Sequence, residues 1–232
     1  MSLQHPAGLQ HNRGVYLCGG TSLFFGVFGN PFVALLTLQE VCMFSGAQFS
    51  LYVMSDDFVD VILGAVDAMG KPEDLRIESD DISTLVVGTP PRVFEAVQTA
   101  YAEACRRGGH VVLSALFSRG CPGEPDDPIC TPGGPEASEL PEPGVVPPSG
   151  IEVNAQFSLY PLGYPGYMEV IGREIQALKA GTLFDRSKHF CTRLSGDLAH
   201  VFAAVYRAFE SAARDSAHVV IHLTVSKGSP SN

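Results

Sequence analysis

Residues 48–53 alternate Gln48, Ser50 and Tyr52 with Phe49 and Leu51, the two-residue period of a strand with one buried face. The period then changes. Over 57–69 Phe58, Val61, Ile62, Ala65 and Met69 recur at helical spacing. Residues 75–78 and 82–87 read as two strands around a turn at Ser79, Asp80 and Asp81. Gly88-Thr89-Pro90 marks a helix start, with Thr89 able to cap and Pro90 losing no needed donor at the first helical position. Val93, Phe94, Val97, Tyr101 and Ala104 line that second helix, and Gly108-Gly109 ends it before a fourth strand at 110–118.

The same pattern returns. Ala47-Gln48-Phe49-Ser50-Leu51-Tyr52 recurs unchanged as Ala155-Gln156-Phe157-Ser158-Leu159-Tyr160, an offset of 108 residues. After a one-residue slip (Val61-Ile62 against Val170-Ile171) the offset of 108 returns and holds without a gap from Ser79/Ser187 to Pro122/Pro230, with 16 of 44 positions identical. Average composition gives roughly three matches by chance. The chain is therefore a tandem duplication. In the second copy Asp197 replaces Thr89 as the cap, and Val201, Phe202, Val205 and Phe209 form the buried stripe. Two βαββαβ units predict an α+β fold: tandem duplicated ferredoxin-like (ACT-like) sandwiches, each sheet carrying two helices on one face.

Two segments fall outside the repeats. Residues 14–39 hold no charged side chain and are long enough to span a bilayer or act as a targeting segment. Gly19, Gly20, Gly26, Gly29 and Pro31 interrupt them, so an anchor, a cleaved segment and a plain extension all fit. Between Pro122 and Pro148 stand nine prolines and six acids without a base, the composition of an extended, solvated linker. The division is thus 1–44 apolar extension, 45–122 repeat 1, 123–150 linker and 151–232 repeat 2.

Charge narrows the partners. The 232 residues carry a formal charge of −10, which speaks against a nucleic-acid binder and suits a cationic ligand. The six cysteines form no C-x-x-C pair and read as free thiols of a reducing compartment, with Cys121 and Cys130 able to pair only after export.

The sheet face away from the helices is where function is expected. If Val219, Ile221, Leu223 and Val225 point to the helices, then His218, His222, Thr224 and Ser226 share the open face with Val220. In repeat 1 the matching set is His110, Ser114 and Ser118, with Val112 and Leu116 between them. Such a face, mixing hydroxyls, amides, imidazoles and aromatic rings, can match ring nitrogens and hold a cation. The plainer reading, an amphipathic face covered by a second sheet at an oligomer interface, is compatible with ligands at that seam. On this argument the contact residues are Gln48, Ser50, Tyr52, Ser83, Thr84 and His110 in repeat 1. In repeat 2 they are Gln156, Ser158, Tyr160, Cys191, Thr192 and His218, with Arg193 and Asp197 added. Thr84 and Thr192 alternate onto the buried side; they are kept because both repeats carry Thr there. Arg193 and Asp197 are placed to pair across the strand-to-helix turn, where repeat 1 has Leu85 and Thr89, so two sites would differ in affinity.

Other chemistry finds less support. His218 and His222 on one strand lie about 13 Å apart, too far to chelate one metal. No phosphate-cradling glycine loop and no G-x-S-x-G elbow occur, and Cys191 beside His189 makes no convincing dyad. The expectation is binding without catalysis, with no cofactor beyond the ligand itself.

With its two A-Q-F-S-L-Y strands, its D-D-F-V-D-V-I and G-Y-M-E-V-I helices, S-D-D-I-S-T-L-V-V-G, F-S-R-G-C-P-G and F-C-T-R-L-S-G-D-x-x-x-V-F, the chain resembles the YkoF family of thiamin and hydroxymethylpyrimidine binders. The similarity covers about residues 45–122 and 151–230, with the motifs in order in both halves. The resemblance implies a tandem of ferredoxin-like domains, a homodimer formed through sheet faces, one thiamin site per domain, and a non-catalytic role in uptake or salvage of the thiamin pyrimidine. It also implies a cytoplasmic protein, against which the apolar residues 1–44 stand longer than the family's lead-in. An ACT-like regulatory module binding an amino acid or another small metabolite is the alternative.

Overall fold

The computed structural model describes residues 42–121, 131–132 and 146–231. The apolar stretch 14–39 and Cys130 lie outside the described residues. In repeat 1, β1 (Cys42–Val53), α1 (Phe58–Ala68), β2 (Arg76–Ser79), β3 (Thr84–Val87), α2 (Pro90–Arg107) and β4 (Val111–Cys121) follow one another. A two-residue strand, β5 (Thr131–Pro132), pairs with the start of β1. Repeat 2 supplies β6 (Glu152–Leu162), α3 (Tyr167–Lys179), β7 (Phe184–Ser187), β8 (Thr192–Asp197), α4 (Leu198–Ala212) and β9 (His218–Lys227). These are two ferredoxin-like units.

The alternation seen in the sequence decides which face each strand buries. Phe49, Leu113, Phe117, Ile221 and Leu223 are almost wholly removed from solvent under the helices, while the residues between them face outward. On α2 and α4 the expected stripes, Val93, Phe94, Val97 and Tyr101 with Val201, Phe202, Val205 and Phe209, are buried. On α1 the expectation fails at one position. Phe58 is 49% exposed, and with Val59 and Leu63 it leaves an apolar outer surface on that helix. The caps differ too: Thr89 makes no side-chain hydrogen bond at the start of α2, whereas Asp197 accepts one from the Ala199 backbone at the start of α4.

The sequence did not reveal how the repeats join. They form one continuous antiparallel sheet in the order β2-β3-β1-β4-β9-β6-β8-β7, with β4 and β9 as the seam. The seam register maps onto itself under the 108-residue offset. Ser114↔Thr224 becomes His222↔Leu116, Val112↔Ser226 becomes Val220↔Ser118, and Ala115↔Leu223 maps to itself on the pseudo-twofold axis. Pairing the two open edges removes the unpaired ladder that each unit would otherwise expose.

Both ends of the seam are closed by equivalent residues. Gly120 (φ 78°) and Gly228 (φ 72°) adopt the left-handed conformation against the backbone of the other repeat. A Cβ on Gly120 would sit 1.8 Å from the Ala217 carbonyl oxygen, and one on Gly228 would sit 2.3 Å from that of Gly109. Beside them, Arg119 of β4 donates to the buried Glu210 of α4 at 2.5 Å. Its counterpart Lys227 donates to the Cys105 and Gly108 carbonyls at the end of α2, both at 3.1 Å. Over the seam Phe94 stacks on Phe117 at 3.9 Å and meets Tyr206 and Phe209 of repeat 2 at 5.1 and 5.5 Å.

Among the described residues no helix is long and apolar enough to cross a membrane. The expected linker is also less free near its end than its composition suggests. The Val146 carbonyl lies 2.8 Å from Nε2 of His200, and Ser149 and Gly150 bond to Asp197, so 146–150 lie against the start of α4.

Candidate functional site

In both repeats the two-residue turn between the second and third strands is strapped to the first strand. The Asp80 N–H donates to the Ser83 carbonyl at 3.0 Å, and the Lys188 N–H to that of Cys191 at 2.9 Å. The Ser50 hydroxyl donates to the Ile82 carbonyl at 2.8 Å, and the Ser158 hydroxyl to the equivalent Phe190 carbonyl at 2.7 Å. Gln48 Nε2 donates to Ser83 Oγ at 2.8 Å, while Gln156 Oε1 accepts from Lys188 Nζ at 3.1 Å and lies 3.6 Å from the Cys191 thiol. The recurring Gln and Ser of the first strand thus hold the turn in place. That leaves Ile82 (78% exposed) and Phe190 (91% exposed) projecting from the tips.

Below the turn of repeat 2 lies a cavity of about 840 Å³. The β6–β8 ladder ends at Phe157↔Thr192, so the rest of β6 has no neighbour on that side and a cleft opens between β6, α3 and the turn. Tyr160, Pro161, Leu162, Tyr164, Tyr167, Met168, Ile171 and Ile175 make its walls largely apolar. Ser158, Lys188, His189 and Cys191 line its polar side, with Glu174 also on the lining. Glu174 is already engaged, by Arg173 Nε at 2.9 Å and the Ser211 hydroxyl at 2.8 Å.

A second cavity, about 540 Å³, lies on the open face of repeat 1 between Gln48, Ser50, Ile82, Ser83, Ser114 and Leu116, and is completed by Tyr160 and His222 from repeat 2. Tyr160 therefore borders both cavities. Along the seam three imidazole–hydroxyl pairs cross from repeat to repeat. His110 Nε2 lies 3.3 Å from Ser226 Oγ, His222 Nε2 lies 3.3 Å from Ser114 Oγ, and His218 Nε2 lies 3.4 Å from Ser118 Oγ. The first and third are related by the repeat offset, and the middle pair sits near the axis. Burial holds the His218 imidazole below its ordinary value.

The expected site residues divide accordingly. Gln48, Ser50 and Ser83 line the open-face groove, and Ser158, Tyr160, Cys191 and Thr192 line the cleft. Tyr52, Gln156, His110 and His218 share the open face but line neither cavity. Two expectations need correction. Thr84 is 7% exposed on the helix side, lines neither cavity and pairs with the Ser79 hydroxyl at 2.8 Å, whereas Thr192, 3% exposed on the same side, borders the cleft. Arg193 does not pair with Asp197; it donates to Asp185 at 2.6 Å and Asn154 at 2.9 Å. Asp197 instead accepts from the Ala199, Ser149 and Gly150 backbones at 2.9, 3.0 and 2.8 Å and from the Ser149 hydroxyl at 3.0 Å. Burial pushes its carboxyl up, but those hydrogen bonds outweigh it and hold the group below the usual carboxylate range.

Sequence reasoning put Ser114, Leu116 and His222 on the open face without including them among the contacts. It weighed His189 only as a partner for Cys191 and did not place Ile82, Lys188 or the α3 wall at the site. The slip of one residue ahead of α3, which lengthens the connection after β6, was the signal that the two repeats differ at this place.

The model of the YKOF-related family matches residues 44–124 and 152–232, once on each repeat. The chain is also 31% identical over 200 residues, 84% of its own length and 96% of the relative's, to YkoF of Bacillus subtilis (strain 168), whose name proposes HMP or thiamine as its ligand.

Proposed function

The chain belongs to the YKOF-related family, and on that premise we propose that it binds thiamin or its hydroxymethylpyrimidine half (HMP) without transforming it, one ligand per repeat. The observation that carries this reading is the repeat 2 cleft. Its volume of about 840 Å³ is in the range that takes a small organic ligand. Tyr160, Tyr164, Tyr167 and Phe190 offer ring faces for a flat pyrimidine and for a thiazolium cation. Ser158 Oγ, its proton given to the Phe190 carbonyl, keeps lone pairs to accept from the ligand, and the Cys191 sulfur lies beside it on the lining. The open-face groove holds the second ligand, where Gln48, Ser83 and His222 can address ring nitrogens and an amino group.

Absence of turnover rests on the polar inventory. The one carboxylate on the two linings, Glu174, is taken up by Arg173 and Ser211, and among the described residues no acid hydrogen-bonds the imidazole of the Ser114–His222 pair. In this reading the protein carries a thiamin precursor during uptake or salvage in the cytoplasm. It works as a homodimer whose open sheet faces meet, covering Tyr52, Leu116, Tyr160 and Leu162, which are 44–53% exposed in one chain.

Calorimetric titration of the full chain with thiamin, and separately with HMP, tests the proposal. It predicts saturable binding approaching two equivalents per chain for at least one of them. Absence of heat and of a thermal shift with both ligands would overturn it.

A further inference from the structure

The two turns have the same backbone and opposite charge. Repeat 1 presents Asp80-Asp81 where repeat 2 presents Lys188-His189, in turns closed by the same hydrogen bond and strapped by the same serine. Asp80 is a fixed negative charge, since its carboxylate accepts from the Ile82 and Ser83 N–H groups at 2.8 Å each and is thereby held below its usual range. Among the described residues the Lys188 ammonium donates one hydrogen bond, to Gln156 Oε1, and has two further protons to donate. Both Lys188 and His189 line the cleft of repeat 2, while Glu174, its carboxylate, lies back on α3, paired with an Arg173 that Asp215 shares and bonded by the Ser211 hydroxyl. In a chain of formal charge −10 this is a basic mouth on an acidic protein.

Resting on the thiamin and HMP reading above, we propose that the repeat 2 cleft is specific for the phosphorylated form of its ligand, a monophosphate ester of the aromatic alcohol. The heterocycle lies among Tyr160, Tyr164 and Tyr167, and the ester oxygens meet Lys188 and His189. Repeat 1 carries Asp80 and Asp81 at the equivalent turn positions and no basic side chain but the His222 imidazole on its groove, so it takes the free alcohol or the cation. A phosphate with a lysine ammonium forms a charge-assisted hydrogen bond, the strongest polar contact available to an exposed cleft mouth.

The experiment compares thiamin with thiamin monophosphate, and HMP with HMP monophosphate, by calorimetry on the full chain at low and at moderate salt. One of the two sites is expected to prefer the monophosphate by about tenfold, a preference that shrinks as salt rises. In K188D/H189D, which gives repeat 2 the repeat 1 turn, the preference should vanish. The milder K188M/H189Q should lower it and keep the wild-type melting temperature, so a folding defect is distinguishable. Equal affinity for ester and alcohol at both sites, or a preference that survives in both variants, would overturn this inference and leave the thiamin and HMP reading standing. Absence of binding by all four ligands would overturn both.

Discussion

Replacing Asp197 with alanine separates a structural role from a ligand-binding one. Its two oxygens accept four hydrogen bonds, from Ala199, Ser149 (twice) and Gly150, and the residue is 8% exposed. Loss of the helix cap costs about 1 kcal/mol. Leaving the Ser149 and Gly150 donors without an acceptor in a partly buried place adds about 2 kcal/mol. A loss of about 3 kcal/mol in a chain of this size lowers the melting temperature by about 6–12 °C. Asp197→Asn should fall between, because Oδ1 keeps its two backbone donors while the amide nitrogen confronts the Gly150 N–H. Acid should also distinguish the variants. The folded carboxyl titrates below its unfolded value, so its stabilisation is complete above the ordinary carboxylate range and is lost as pH falls through and below that range. The asparagine variant should lack that part of the slope. Thermal melts by circular dichroism from neutral pH to pH 3, with thiamin titrations at a temperature where every variant is folded, provide the readout. Melting within 2 °C of wild type together with lost binding would refute the capping assignment and return Asp197 to the site.

Two further outcomes follow from the seam. Gly120→Ala combines a left-handed backbone with a Cβ 1.8 Å from the Ala217 carbonyl, and should cost at least about 2 kcal/mol in chemical denaturation. Gly109→Ala, where a Cβ meets nothing within 4 Å, should stay within about 0.5 kcal/mol of wild type, and equal losses in the two would contradict the seam geometry. His218 titrates below its ordinary value because burial penalises the charged ring, so its neutral form stabilises the fold above about pH 6.5 and that contribution is lost as pH falls below it. His218→Gln should flatten stability between pH 7 and pH 5 in denaturant melts, and an unchanged slope would show that the ring is not held neutral.

Much of the fold was legible because period and burial coincide. Val219, Ile221, Leu223 and Val225 alternate in the sequence and are all fully buried, which places His218, His222 and Ser226 outside. The edge-to-edge joint was not legible, since alternation fixes a strand's faces but not its neighbour. Gly120 near the end of β4 and Gly228 just beyond β9, identical residues at equivalent positions, were its trace. At the site, Ser50 and Ser158 were correctly read onto the open face, yet each binds a carbonyl 32 residues away. Composition cannot distinguish a hydroxyl that straps a turn from one that meets a ligand. Thr84 misled for a related reason: repetition between halves records shared packing as readily as shared chemistry.

The central claim is that a thiamin-type ligand enters the cleft beside α3. Met168 lines that cleft and is 62% exposed, whereas Met69 is in the core at 9%. The most direct measurement is the methyl spectrum of the full chain carrying 13C-methyl methionine at its five positions, recorded with and without saturating thiamin. The account predicts a shift at Met168 and none at Met69. A Met168 resonance that stays in place while calorimetry registers binding would put the ligand elsewhere and contradict it.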